Sequence, residues 1–76
     1  MKNYKDIIIS DYKVMLGKPI IKGTRITVEL ILKKLSEGVT IAQLTEMYPQ
    51  LTTDTIHAAL EYAANVVGNE EVLELV

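Results

Sequence analysis

Two periods of apolar residues divide this chain. Up to Ile26 the apolar positions come in short, mostly β-branched clusters, and from Thr27 onward they recur at helical spacing. Asp6 to Ser10, centred on Ile7, Ile8 and Ile9, predicts a strand, Asp11-Tyr12-Lys13 a turn, and Val14 to Leu16 and Pro19 to Lys22 further short strands. Pro19 has no amide to give to a ladder, which puts its segment at an edge or at a strand's start, where two copies could pair.

Val28, Ile31, Leu32 and Leu35 fall at i, i+3, i+4 and i+7 and give a first helix one apolar face, with Glu29 and Lys33 spaced as an i,i+4 ion pair on the other. Gly38 is its expected C-terminal stop. Thr40 and Gln43 make the T-x-x-Q capping-box pattern of a second helix, which turns Ile41, Leu44 and Tyr48 inward and ends at Pro49. Thr52 predicts the N-cap of a third helix, with Asp54 in its first turn where a negative charge suits the helix dipole. Ile56, Ala59, Leu60, Ala63 and Val67 form the expected core stripe of this helix, leaving Thr53, Asp54, His57, Ala58, Glu61, Tyr62 and Asn65 outward. Gly68 closes it, and Glu70 to Val76 has the pattern of one or two further turns, a short C-terminal helix whose Val72, Leu75 and Val76 need cover.

The expected fold is mainly α with short N-terminal β-strands, in one domain over residues 1–76: a strand-like arm at 1–26, a three-helix core of helix-turn-helix type at 27–67, and an acidic and apolar tail at 68–76. Pro49-Gln50-Leu51 is the diagnostic link. It is short, and Leu51 is available to plug the angle between two helices, which lets the last helix project into a major groove. A plain three-helix core that touches no nucleic acid has the same pattern, so both readings stay open.

At 76 residues the chain supports one small core, and with no cysteine it has neither disulfides nor thiolate metal ligands to reinforce it. Self-association is the remaining support, and a homodimer is expected. Apolar runs such as Ile7 to Ile9 are far too short to span a bilayer, and no apolar signal segment opens the sequence. A cytoplasmic location with no membrane partner follows as the expectation.

Charge changes the picture more than composition does. Residues 1–34 hold all eight cations and three acids, a net of +5, whereas residues 35–76 carry seven acids and no lysine or arginine. Such a split suits a polyanionic partner at one end and a basic one at the other, or it is neutralised when the two halves fold together. The third helix belongs to the acidic half and has no cation for phosphates, which supply most of the affinity in DNA binding. Double-stranded DNA, if it is a partner, must therefore be gripped by Lys18, Lys22, Arg25, Lys33 and Lys34, with His57 reading a base edge.

Gly17 to Ile26 is the most unusual stretch, and its spacing fits neither a Walker A loop nor G-x-G-x-x-G. It offers a tight turn at Lys22-Gly23, exposed amides around Thr24 and, in Arg25, a planar fork able to grip a phosphate or carboxylate twice. The purely structural alternative gives Gly23 a positive φ, makes Thr24 or Thr27 the cap of the first helix, and uses Arg25 in a dimer contact. Catalysis is not expected. His57 lies one turn from Asp54 and from Glu61, but two or three ligands on a single helix do not close a metal site, and no catalytic residue, metal or cofactor is assigned. The four tyrosines are too scattered for a stacking platform.

Lys18-Pro19-Ile20-Ile21-Lys22-Gly23-Thr24-Arg25-Ile26-Thr27-Val28, then Gly38, Tyr48-Pro49-Gln50-Leu51-Thr52 and Ala58-Ala59-Leu60-Glu61-Tyr62, together resemble the bacterial domain-of-unknown-function family 433 over nearly the whole chain. Two positions depart from its pattern: Leu16 stands where the first of two glycines is common, and Tyr12 follows Asp11 where proline is common. The resemblance implies a homeodomain-like helix-turn-helix fold and the role of antitoxin in a type II toxin-antitoxin pair. Such a protein neutralises a toxin, typically a PIN-like nuclease, and often represses its own operon as a dimer. In that reading Glu70, Glu71, Val72, Leu75 and Val76 bind the toxin's basic groove. The alternative is a protein-interaction module of the same fold that binds no nucleic acid.

Overall fold

The computed structural model describes residues 4–69. A 3-10 turn at Tyr4–Asp6 is followed by β1 (Ile8–Ile9), a second 3-10 turn at Met15–Gly17, β2 (Ile20–Ile21), α1 (Val28–Ser36), α2 (Ile41–Met47) and α3 (Thr53–Gly68). The protein is thus mainly helical, with a two-stranded antiparallel sheet near its N-terminal end. Residues 70–76, and with them the expected C-terminal helix, lie outside the described residues.

The sheet pairs Ile8 with Ile21 and Ile9 with Ile20, burying Ile8, Ile20 and Ile21. The expected strand from Asp6 to Ser10 is reduced to two residues, because Tyr4–Asp6 winds into a turn in which the Ile7 amide donates to the Tyr4 carbonyl at 2.9 Å. Val14 to Leu16 forms no strand. Val14 bridges back to Asp11 across the predicted turn, and Met15, Leu16 and Gly17 then take left-handed backbone with φ of +52°, +55° and +84°. Successive left-handed residues cannot continue the extended geometry that a ladder requires. Pro19 precedes β2, where its missing donor costs the sheet nothing.

The helix ends follow the capping chemistry. Thr27 Oγ1 accepts from the Leu30 amide at 3.0 Å and opens α1. Gly38, at φ +96°, ends it by donating to the Leu35 carbonyl while Val39 donates to that of Lys34, the paired bonds of a Schellman motif. Thr40 and Gln43 exchange amide-to-side-chain bonds of 3.1 and 2.8 Å at the start of α2. Thr52 and Thr55 do the same for α3, at 3.2 and 2.9 Å. In each box two amides left over by the helix find acceptors.

Ile31, Leu44 and Ile56, one from each helix, are fully buried, and around them lie Ile8, Ile21, Ile26, Val28, Leu51, Ala58 and Ala59. The stripe expected on α3 needs correction. Leu60 and Val67 are exposed, whereas Ala58, expected outward, is buried, and Tyr62 is half-buried. The inner face is rotated because Tyr4–Asp6 and β1 also pack on α3, with Tyr4 against Tyr62. The helix is also longer than its neighbours. Its 16 residues rise about 24 Å against about 14 Å for the 9 of α1, so its last turns outrun the core, and residues 64–69 are all exposed. A second correction concerns Glu29, whose carboxylate meets Lys18 at 3.0 Å instead of Lys33. The tertiary fold brings residue 18 alongside the first turn of α1, a closer partner than the i+4 neighbour. Among the described residues no helix is long and apolar enough to cross a membrane.

Candidate functional site

The link between β2 and α1 is a folded-back loop held by backbone bonds. The Thr24 amide donates to the Ile21 carbonyl at 3.0 Å, and the Ile21 amide to the Ile26 carbonyl at 2.9 Å. The Val28 amide closes the base by donating to the Pro19 carbonyl at 2.9 Å. Gly23 sits at the tip with φ +83°, a conformation only glycine takes without strain. Thr24 Oγ1 donates to the Ile21 carbonyl at 2.8 Å and accepts from the Ile26 amide at 2.9 Å. Two of the amides expected to be exposed around Thr24, its own and that of Ile26, are instead committed to acceptors inside the loop. Thr27, not Thr24, caps α1.

The expected cations fall in three places. Lys22 and Arg25 flank the Gly23 tip, both exposed, and Arg25 has no ion-pair partner among the described residues. Lys33 and Lys34 close α1, where positive charge suits the helix dipole. Five to six residues separate them from Val28, a rise of about 8 Å along the axis, so they stand at the far end of α1 from Arg25. Lys18 is tied to Glu29. His57 is exposed on α3 with Thr53, Asp54, Glu61 and Asn65. Among the described residues no group of three or more acids and histidines is placed to hold a metal ion. Glu70, Glu71, Val72, Leu75 and Val76 lie outside the described residues.

Sequence reading did not find the concavity that the fold places beside Arg25. It is open, about 530 Å³, with Ile9, Val14 and Ile20 as apolar lining and Gly23, Thr24, Arg25 and Gln50 as the polar part. Gln50 belongs to the link between α2 and α3. Residues 25 sequence positions apart thus share one surface, and no local motif announces that. The link itself follows expectation, with Leu51 buried and its amide donating to the Tyr48 carbonyl at 2.8 Å.

Both of these segments, the Gly23 loop and the Tyr48–Thr52 link, fall inside residues 8–63, which match the family model described as a protein of unknown function, DUF433. The chain belongs to that family. In this DUF433 member the match runs from β1 through most of α3, so the family pattern takes in the sheet, the loop, all three helix starts and the concavity. Comparison with curated proteins and with solved structures gives no match.

Proposed function

We propose that this chain is a homeodomain-like helix-turn-helix protein that serves as the antitoxin of a type II toxin-antitoxin pair, binding operator DNA as a dimer and neutralising a nuclease-like toxin. The observation that carries the reading is the short α2–α3 link, Tyr48–Thr52, with Leu51 buried in the core and Thr52 capping α3. That arrangement leaves the first turns of α3 projecting, with Thr53, Asp54, His57 and Glu61 exposed. The phosphate grip falls to Lys22, Arg25, Lys33 and Lys34, all outside α3, with Lys18 available once its bond to Glu29 opens. Affinity for DNA upstream of the gene, measured across a salt series, tests this. Several phosphate contacts predict a steep fall in affinity between about 50 and 200 mM salt, and a flat response or no binding removes DNA from the reading. Co-purification with the product of the adjacent gene tests the antitoxin half.

A second reading, a protein-interaction module that touches no nucleic acid, is favoured by α3 itself. From Thr53 to Gly68 this helix carries no lysine or arginine, and it exposes Leu60, Val66 and Val67. Its toxin or other protein partner would then meet an apolar and acidic surface.

A further inference from the structure

Two tied-down segments meet at the concavity beside Arg25. The Gly23 loop is closed by backbone bonds from the amides of Ile21, Thr24 and Val28, and the α2–α3 link by the Leu51 amide and the capping box that opens α3. The first segment contributes Arg25 and the second Gln50, both exposed and neither with a side-chain partner among the described residues. Thr24 also lines the concavity, but its hydroxyl is already spent on the Ile21 carbonyl and the Ile26 amide. The two uncommitted polar groups both offer donors, one a guanidinium fork and the other a carboxamide NH2. No acid belongs to the lining. Asp11, which bridges to Val14 there, accepts from the Lys13 amide at 2.9 Å, and Asp54 in the first turn of α3 lies outside it. Ile9 and Val14 supply an apolar wall.

Aliphatic carbon beside two donors, on an open surface rather than in an enclosed cavity, fits a chain in which sugars alternate with phosphates. We propose that one phosphate of double-stranded DNA, with its adjoining deoxyribose, seats here: Arg25 and Gln50 donate to its oxygens, and Ile9 and Val14 pack against the sugar. This rests on the DNA-binding reading above and goes beyond it by adding Gln50, a neutral residue, and by joining it to Arg25 on a single phosphate. Lys33 and Lys34 cannot share that task, because they stand at the far end of α1. Gln50 comes three residues before Thr53, where α3 begins, so a phosphate held there fixes the edge of the groove that α3 enters. Contacts of this kind set the register of a protein on the duplex and carry no sequence information. The choice of bases is left to α3. Both segments are tied before DNA arrives, so little backbone ordering is lost on binding.

The test measures, at low salt and across a salt series, the affinity of substituted chains for a duplex from immediately upstream of the gene and for a shuffled duplex of the same composition. Arg25→Gln should weaken both duplexes equally, by at least about tenfold, and reduce the slope of log affinity against log salt by about 0.9. Gln50→Ala should cost about tenfold on both with the slope unchanged, since no charge is removed. Gln50→Glu should cost more, because it sets a carboxylate against the phosphate. Arg25→Gln combined with Gln50→Ala should lose less than the product of the single losses, as both residues serve one phosphate, whereas the losses from Lys34→Gln and Gln50→Ala should multiply. Both positions are exposed, so the variants keep the fold, checked by circular dichroism. If the unsubstituted chain binds neither duplex, the DNA reading falls and the seat falls with it. If it binds with a steep salt response but Gln50→Glu binds equally well, or the Arg25 and Gln50 losses simply multiply, the seat alone is overturned and the grip belongs to the lysines. A loss confined to the upstream duplex makes these residues base readers and overturns the seat as well.

Discussion

Tyr62 on α3 meets Tyr4 edge to face, with ring centroids 5.9 Å apart and planes inclined at 73°. The contact fastens the start of the described chain to the last helix and turns the α3 face that sequence periodicity had assigned to solvent. Tyr62→Ala should lower stability by about 2 kcal/mol, from the edge-to-face interaction and the partly lost burial. Urea unfolding of both single variants and the double variant with Tyr4→Ala measures the coupling, and strict additivity would deny that the rings interact.

Leu16 is held at φ +55° and is three-quarters exposed, so replacing it removes strain and little packing. Leu16→Gly should therefore stabilise the fold. Relief of about 1–2 kcal/mol of left-handed strain exceeds the roughly 0.5–1 kcal/mol of extra backbone entropy that glycine loses on folding. A lower urea midpoint for the variant would contradict the left-handed turn.

Leu51 and Leu60 are both leucines near or on α3, but the first is 3% exposed and the second 38%. Leu51→Ala should cost about 2–5 kcal/mol, enough to unfold much of a domain this small, and Leu60→Ala less than about 1 kcal/mol. Thermal melts of the two variants decide it, and the reverse order would restore the stripe expected from sequence.

Thr52 satisfies the Thr55 amide, and Thr55 Oγ1 satisfies that of Thr52. Thr52→Ala should cost about 1 kcal/mol, and Thr52→Asp should recover most of it because aspartate caps as well and favours the positive helix end. Chemical denaturation of the pair reads the difference.

Lys18 and Glu29 pair at 3.0 Å with side chains 55% and 70% exposed. Solvent screens such a pair, so Glu29→Gln should change stability by well under 1 kcal/mol. Its larger effect should be on the proposed phosphate contacts. With Lys18 released and one acid neutralised, DNA affinity should rise severalfold at low salt, and a fall would take Lys18 out of the interface.

Much of this architecture was legible before any coordinates. Thr40, Thr52, Gly38 and Pro49 mark helix ends by chemistry that acts within three or four residues, and a linear sequence preserves such distances. The Gly23 turn was legible for the same reason, whereas the choice of Thr27 over Thr24 as the cap of α1 came from the structure. The candidate site was legible only in pieces. Arg25 stood out by type, but Gln50 and Ile9 carry no local signature, and they join it only because β1, the Gly23 loop and the α2–α3 link converge.

The sequence by itself determined the shift from strand-like to helical period, the starts of the second and third helices, the buried Leu51 of the link and the division of charge, because each rests on neighbours along the chain or on composition. Only the tertiary structure decided which face of α3 is buried, that Glu29 meets Lys18, and that the Thr24 and Ile26 amides are already spent. Those outcomes depend on which segments, distant in sequence, compete for the same surface. Helical periodicity sets the spacing of a stripe, but its phase is chosen by the elements that pack against it, and here the Tyr4–Asp6 turn helped choose it.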